Sequence, residues 1–165
     1  PDLLPRKDRS KMKKIAAFLC TFCLLFSMTA CSGQEQKNAD LSAVMDEMKA
    51  VLENTEMMDL TENDLMPQYG VDAADCEQFA VYIDSTGLKG DEIVLLQGVD
   101  EDAAARLKEK MDERYQQKET TMKDYQPEEF AMLQACSVEQ QGAYVSMIVS
   151  PQHEELEKIY QEAFA

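Results

Sequence analysis

Phe79-Ala80-Val81-Tyr82-Ile83, Asp84-Ser85-Thr86-Gly87-Leu88-Lys89-Gly90-Asp91 and Glu92-Ile93-Val94-Leu95-Leu96 follow one another without a break, and the fold is read from them. The two flanks are short runs rich in β-branched and aromatic residues, and the middle supplies two glycines and turn-forming side chains. Together they spell a β-hairpin with a longer loop. The same pattern recurs near the C-terminus, where Ser137-Val138-Glu139-Gln140 leads through a Gln141-Gly142 turn into Ala143-Tyr144-Val145-Ser146-Met147-Ile148-Val149.

Helices are expected before, between and after these hairpins. Asp40 suits an N-cap, and Leu41, Val44, Met45, Met48, Val51 and Leu52 follow at helical spacing to about Glu53. A second helix start is read at Thr61-Glu62-Asn63-Asp64, restricted by Pro67 and ended by Gly70. Asp100 caps a long helix from Glu101 to about Lys123, with an apolar stripe of Ala104, Leu107, Met111, Tyr115 and Met122 and with Lys118 on the same side. Pro127 starts a short segment through Phe130 and Leu133. Pro151 opens a last helix with Leu156, Ile159, Tyr160, Ala163 and Phe164 on one face. The expected fold is α+β, a four-stranded antiparallel sheet from two hairpins with helices packed mainly on one face, in the order helix, hairpin, helix, hairpin, helix.

Upstream of this domain, assigned to residues 40–165, the chain carries an address. Lys11, Lys13 and Lys14 precede an uncharged apolar run from Ile15 to Ala30, the anatomy of a secretory signal peptide over residues 12–30. Met28-Thr29-Ala30-Cys31 fits the lipobox of bacterial lipoproteins, in which cleavage falls between Ala30 and Cys31 and Cys31 is acylated and becomes the mature N-terminus. A membrane-spanning reading fits less well. Sixteen residues rise about 24 Å as a helix, short of a ~30 Å hydrocarbon core. Met12-Lys13-Lys14 reads as the natural start, which sets residues 1–11 aside as upstream sequence. Residues 31–39 are polar, and read as the lipidated cysteine and a flexible tether.

The charge balance shifts sharply at the lipobox. Six of the 16 basic residues but only two of the 32 acidic ones lie in the first 30 positions, which leaves 10 basic and 30 acidic residues and a formal charge of −20 beyond them. Such a polyanion repels nucleic acid and anionic wall polymers, so attraction to the membrane must come through the N-terminal lipid.

Cysteine usage follows the same division. Cys20 and Cys23 have CxxC spacing but sit inside the apolar leader and leave with it. Cys76 and Cys136 remain. Outside the cell they can form one disulfide across about 60 residues, or each is simply a small buried apolar side chain.

Candidate chemistry is sparse. His153, with Glu157 four residues later, supplies at most half a metal site, and no Gly-x-Ser-x-Gly elbow presents a serine. The loop from Asp84 to Glu92 departs from the EF-hand template at Thr86 and Leu88. The methionines fall mostly on helical apolar stripes, and Tyr69, Tyr82, Tyr144 and Tyr160 suit core or rim packing. No catalytic residue, metal or cofactor is therefore assigned.

Taken together, the lipobox, the polar tether, Met57-Met58-Asp59-Leu60-Thr61, Leu65 with Tyr69-Gly70, Ala80-Val81-Tyr82, Asp91-Glu92-Ile93 and Gly142-Ala143-Tyr144-Val145 resemble the small bacterial lipoproteins grouped as domain of unknown function 4358. The chain differs from that pattern in placing cysteines at 76 and 136. The resemblance implies a surface lipoprotein of a monoderm-type bacterium and no known activity. The expected function is a lipid-anchored, extracytoplasmic module on the outer face of the cytoplasmic membrane, non-catalytic, binding or scaffolding another envelope protein or a small ligand. The alternatives are an enzyme or enzyme accessory acting on an envelope substrate, or a ligand-capturing lipoprotein.

Overall fold

Ile93-Val94-Leu95-Leu96 contains no polar residue at alternate positions, and a strand of that kind needs apolar cover on both sides. The computed structural model, which describes residues 38–165, provides it. The elements are α1 (Leu41–Lys49), β1 (Met57–Asp59), α2 (Glu62–Tyr69), a 3-10 turn (Ala73–Asp75), β2 (Cys76–Asp84), β3 (Glu92–Gly98), α3 (Glu101–Tyr125), α4 (Pro127–Leu133), β4 (Val138–Gln141), β5 (Tyr144–Val149) and α5 (His153–Glu162). The sheet is antiparallel throughout, in the order β1-β2-β3-β5-β4, so both hairpins form as read and their inner strands β3 and β5 pair at the centre.

Two features differ from expectation. The sheet has five strands, because Met57–Asp59 pairs with β2 through Met57↔Asp84, Met58↔Ile83 and Asp59↔Tyr82. Three residues carry too short a period to register as a strand; the pairing partner makes it one. Helices also cover both faces of the sheet. On one face Val81, Val94, Leu96, Val145, Met147 and Val149 pack with Leu65 of α2, with Ala104, Leu107 and Met111 of α3 and with Leu133 of α4. On the other, Ile93, Leu95, Tyr144 and Ile148 pack with Leu41, Val44, Met45 and Met48 of α1 and with Leu156 and Tyr160 of α5.

The local signals explain the helix ends. The Asp40 carboxylate accepts from the Ser42 and Ala43 N–H groups, and Asp100 accepts from Ala103 N–H at 2.7 Å. Gly70 closes α2 in the left-handed conformation at φ 66°, which favours a residue without Cβ. The 25 residues of α3 extend about 37 Å, long enough to cross the sheet and project beyond it.

The expected tether ends sooner than residue 39. Ala39 is buried, its N–H donates to the Tyr144 hydroxyl at 3.1 Å, and its carbonyl accepts from Gln78 Nε2 at 3.2 Å. The Tyr144 hydroxyl in turn donates to Asn38 Oδ1. Asn38 and Ala39 therefore belong to the domain and fix where the chain enters it, beside the Gln97↔Tyr144 pair.

Candidate functional site

The apolar stripe of α3 carries one cation into the core. Lys118 lies two turns after Met111 and one turn before Met122, both buried, and its side chain is 8% exposed. Its partner is Glu92, the first residue of β3, whose side chain is fully buried. Lys118 Nζ donates to Glu92 Oε2 at 2.8 Å. One turn earlier on α3, Arg114 donates from Nε to Oε1 and from Nη2 to Oε2 of the same carboxylate, both at 2.9 Å. This is the fork geometry that fits a guanidinium to a carboxylate. Burial alone would push the Glu92 carboxyl up, but the Lys118 charge and the Arg114 hydrogen bonds and charge outweigh it and hold the pKa below its ordinary value.

Tyr69, at the end of α2, completes the cluster. Its ring lies under the Arg114 guanidinium, 5.7 Å from centroid to Cζ, and its buried hydroxyl has no well-formed hydrogen bond. Burial and the nearby Glu92 charge push that phenol far above its ordinary pKa, so it stays protonated.

Beside the cluster the β2–β3 loop and α3 enclose a cleft of about 430 Å³, onto which Glu92, Arg114, Gln117, Lys118 and Thr121 open. The loop is clamped rather than free. Asp84 accepts from Asn54 Nδ2, Thr86 Oγ1 and the Lys89 N–H, and Glu129 of α4 accepts from the Gly90 N–H at 2.6 Å. Gln126 Nε2 donates to the Leu88 carbonyl at 3.1 Å. Asp91 is buried and accepts from Ser150 Oγ at 3.2 Å, and burial pushes its pKa up. Leu88 and Tyr125, neighbours in sequence of the lining residues Lys89 and Gln126, are 74% and 83% exposed.

None of the expected site residues lies in this cleft. Ala30 and Cys31, with Cys20 and Cys23, fall outside the described residues. Cys76 and Cys136 are free thiols and form no disulfide. Cys76 pairs with Gly98 at one end of β3, whereas Cys136 Sγ faces the Ser150 carbonyl at the other, next to the Glu92↔Val149 pair. Six strand residues separate those ends by about 20 Å, far beyond disulfide reach. His153 starts α5 with Nδ1 3.7 Å from Glu157 Oε1 and otherwise unpartnered. Among the described residues no group of three or more His, Cys, Asp or Glu side chains is placed to hold a metal ion, and no helix is long and apolar enough to cross a membrane.

Sequence reasoning missed the pairing of Glu92 with Arg114, although it noted Lys118 on the apolar side of its helix and read Tyr69 as a core or rim residue. A lysine in such a stripe must find a buried acid, and Glu92, the acidic residue that heads the buried run, was the signal available.

Comparison with curated proteins and with solved structures finds no match to either. A family model described as a domain of unknown function (DUF4358) matches residues 50–150, a span that contains all five strands and the whole Glu92 cluster and leaves α1 and α5 outside. The chain belongs to this family of domains of unknown function.

Proposed function

We propose that the chain is a lipid-anchored, extracytoplasmic module of the bacterial cell envelope that recognises a partner or ligand through the cleft between the β2–β3 loop and α3, without catalysis. The observation that carries this reading is a matter of position. Asn38, where the described chain begins, is tied to Gln97 and Tyr144 at one end of the central strands, and the cleft opens beside Glu92 at the other. Five strand residues put the two ends about 17 Å apart. A chain held to a membrane through Cys31 would have its point of attachment at the end of the central strands opposite the cleft. The lipobox supports the anchor, and the internally paired charges of the cluster support recognition over turnover, since Glu92 is already committed to two cations.

Site-specific photo-crosslinking in intact cells tests it. A photoreactive residue at Thr121, on the cleft wall, is expected to capture an envelope component that the same residue at Glu47, on the exposed side of α1, does not. Identical capture from both positions, or none from Thr121, contradicts the reading.

A further inference from the structure

β2 is longer than the strand that covers its outer side. It runs from Cys76 to Asp84, but β1 pairs only with Tyr82, Ile83 and Asp84. One further bond, from the Leu60 N–H to the Val81 carbonyl at 3.0 Å, ends the cover before the chain turns off into α2. Backbone groups along an antiparallel strand face its two sides at alternate residues. The Asp84 N–H donates to the Asp91 carbonyl, which turns the even-numbered residues of β2 toward β3, and the bond at Val81 turns the odd-numbered ones outward. The N–H and C=O of Phe79 and the N–H of Val81 therefore face outward past the end of β1, with no strand beside them among the described residues. A groove of about 720 Å³ follows this open half of β2, lined by Cys76, Glu77 and Phe79 of the strand. Ser42 comes to it from α1, the cover of one sheet face, and Glu62 from α2, the cover of the other, with Asp72 beside the 3-10 turn. Its charged side chains are all acids: Glu62, Asp72 and Glu77. Among the described residues no base is paired with Glu62 or Glu77, and the nearby Arg106 is committed to Asp75.

We propose that the open half of β2 is a docking edge for a short extended segment of a partner protein, which adds as a strand in line with β1 and sets lysine or arginine side chains against Glu62, Asp72 and Glu77. The segment's backbone takes up the outward groups of Phe79 and Val81, and the acids select its charge. The β-bulge between Cys76 and Gln78 limits the edge at its lower end, so only a few residues of the partner pair there. A second copy of this chain is the poorer occupant. Its own edge strands, Met57–Asp59 and Val138–Gln141, carry Asp59 and Glu139 and no base, and two copies bring together two strongly acidic domains. The groove lies at the Cys76 end of β2 and the cleft at the Asp84 end, so this surface goes beyond the function proposed above and does not rest on it.

The test is a titration of the purified full chain with the capped peptide Lys-Val-Lys-Val-Lys at constant ionic strength, followed through the backbone amide resonances of Phe79 and Val81. Two control peptides run beside it: one with glutamate at every lysine, and one methylated at every peptide nitrogen, which keeps the charge but cannot donate from its backbone. The lysine peptide is expected to shift both amides saturably and to slow their hydrogen exchange, and each control to bind at least about tenfold more weakly. Glu62→Gln with Glu77→Gln changes two exposed side chains, so that chain should fold as the parent does and bind the lysine peptide at least about fivefold more weakly. Unmoved Phe79 and Val81 amides, an equal response to either control, or parent-like binding by the double variant overturns the inference. So does a shift of these amides with protein concentration in the absence of peptide, which would give the edge to a second copy of the chain.

Discussion

Glu92 and Lys118, 26 residues apart in sequence, meet at 2.8 Å with side chains 0% and 8% exposed, and their contact fixes the long helix α3 to the first residue of the central strand. Arg114 closes the other edge of the same carboxylate. The polar cluster thus sets how α3 lies on the sheet, and with it the wall of the cleft.

Removing the acid should be far more harmful than removing one base. Glu92→Gln leaves two largely buried cations without a counter-charge and is expected to cost about 3–5 kcal/mol. Lys118→Met keeps Glu92 paired with Arg114 and should change stability by less than about 1 kcal/mol. Urea unfolding of the two variants beside the parent checks the ranking, and equal losses would contradict it.

Acidification should act through the same carboxylate. Glu92 is held below its ordinary value of 4.5 in the folded chain, so the unfolded chain takes up the proton first as the pH falls. The contribution of Glu92 is then fully present above about pH 4.5 and is lost as the pH falls through the lower folded value. Asp91 works the other way. Burial raises its pKa, the folded chain holds the proton more tightly, and the charged form opposes folding at neutral pH. Asp91→Asn keeps an acceptor for Ser150 and is expected to raise the urea midpoint at neutral pH, with the gain shrinking on acidification. A gain that grows in acid would contradict this.

Gly98, the last residue of β3, is needed for closeness rather than for an unusual torsion. A Cβ there would stand 2.6 Å from the Ala104 backbone nitrogen and 2.8 Å from the Asp100 carbonyl oxygen, neither of which can yield without moving the start of α3. Gly98→Ala is expected to cost about 1–3 kcal/mol by thermal or urea denaturation. At Gly90 the crowding atoms nearest a new Cβ are the methyl ends of Met122 and Met132, which can shift, so Gly90→Ala should cost less.

The two described cysteines should behave as separate, sluggish thiols. Burial first, then the Asp75 and Asp72 charges, push the Cys76 thiol up to about 11, and Cys136 is buried with its pKa also raised. Alkylation of the native protein near pH 8 should be slow at both, and denaturation without reductant should make both react at once. A requirement for reductant would show a bond between them.

Much of the fold was legible because it rests on local signals. Asp40 and Asp100 announced their helices, Gly70 its helix end, and the Gly142 turn its hairpin. The stripe Ala104, Leu107, Met111 and Met122 named the face of α3 that is buried. Pairing information that lies far away in sequence was not legible. Met57–Asp59 becomes a strand only because β2 lies beside it, and cover on both faces of β3 follows from where α1 and α5 return. The Glu92 cluster failed for the same reason, since each residue looks ordinary alone and the meaning lies in three elements converging.

The claim that the domain works outside the cell at the end of a lipid anchor is tested most directly by the intact mass of its N-terminal peptide after isolation from native membranes. The account predicts a chain beginning at Cys31 with a thioether-linked diacylglyceryl group, and Cys31→Ser protein that is neither acylated nor retained in the membrane fraction. A mature chain that still carries residues 12–30, or an unmodified Cys31 in protein from the membrane fraction, would contradict it.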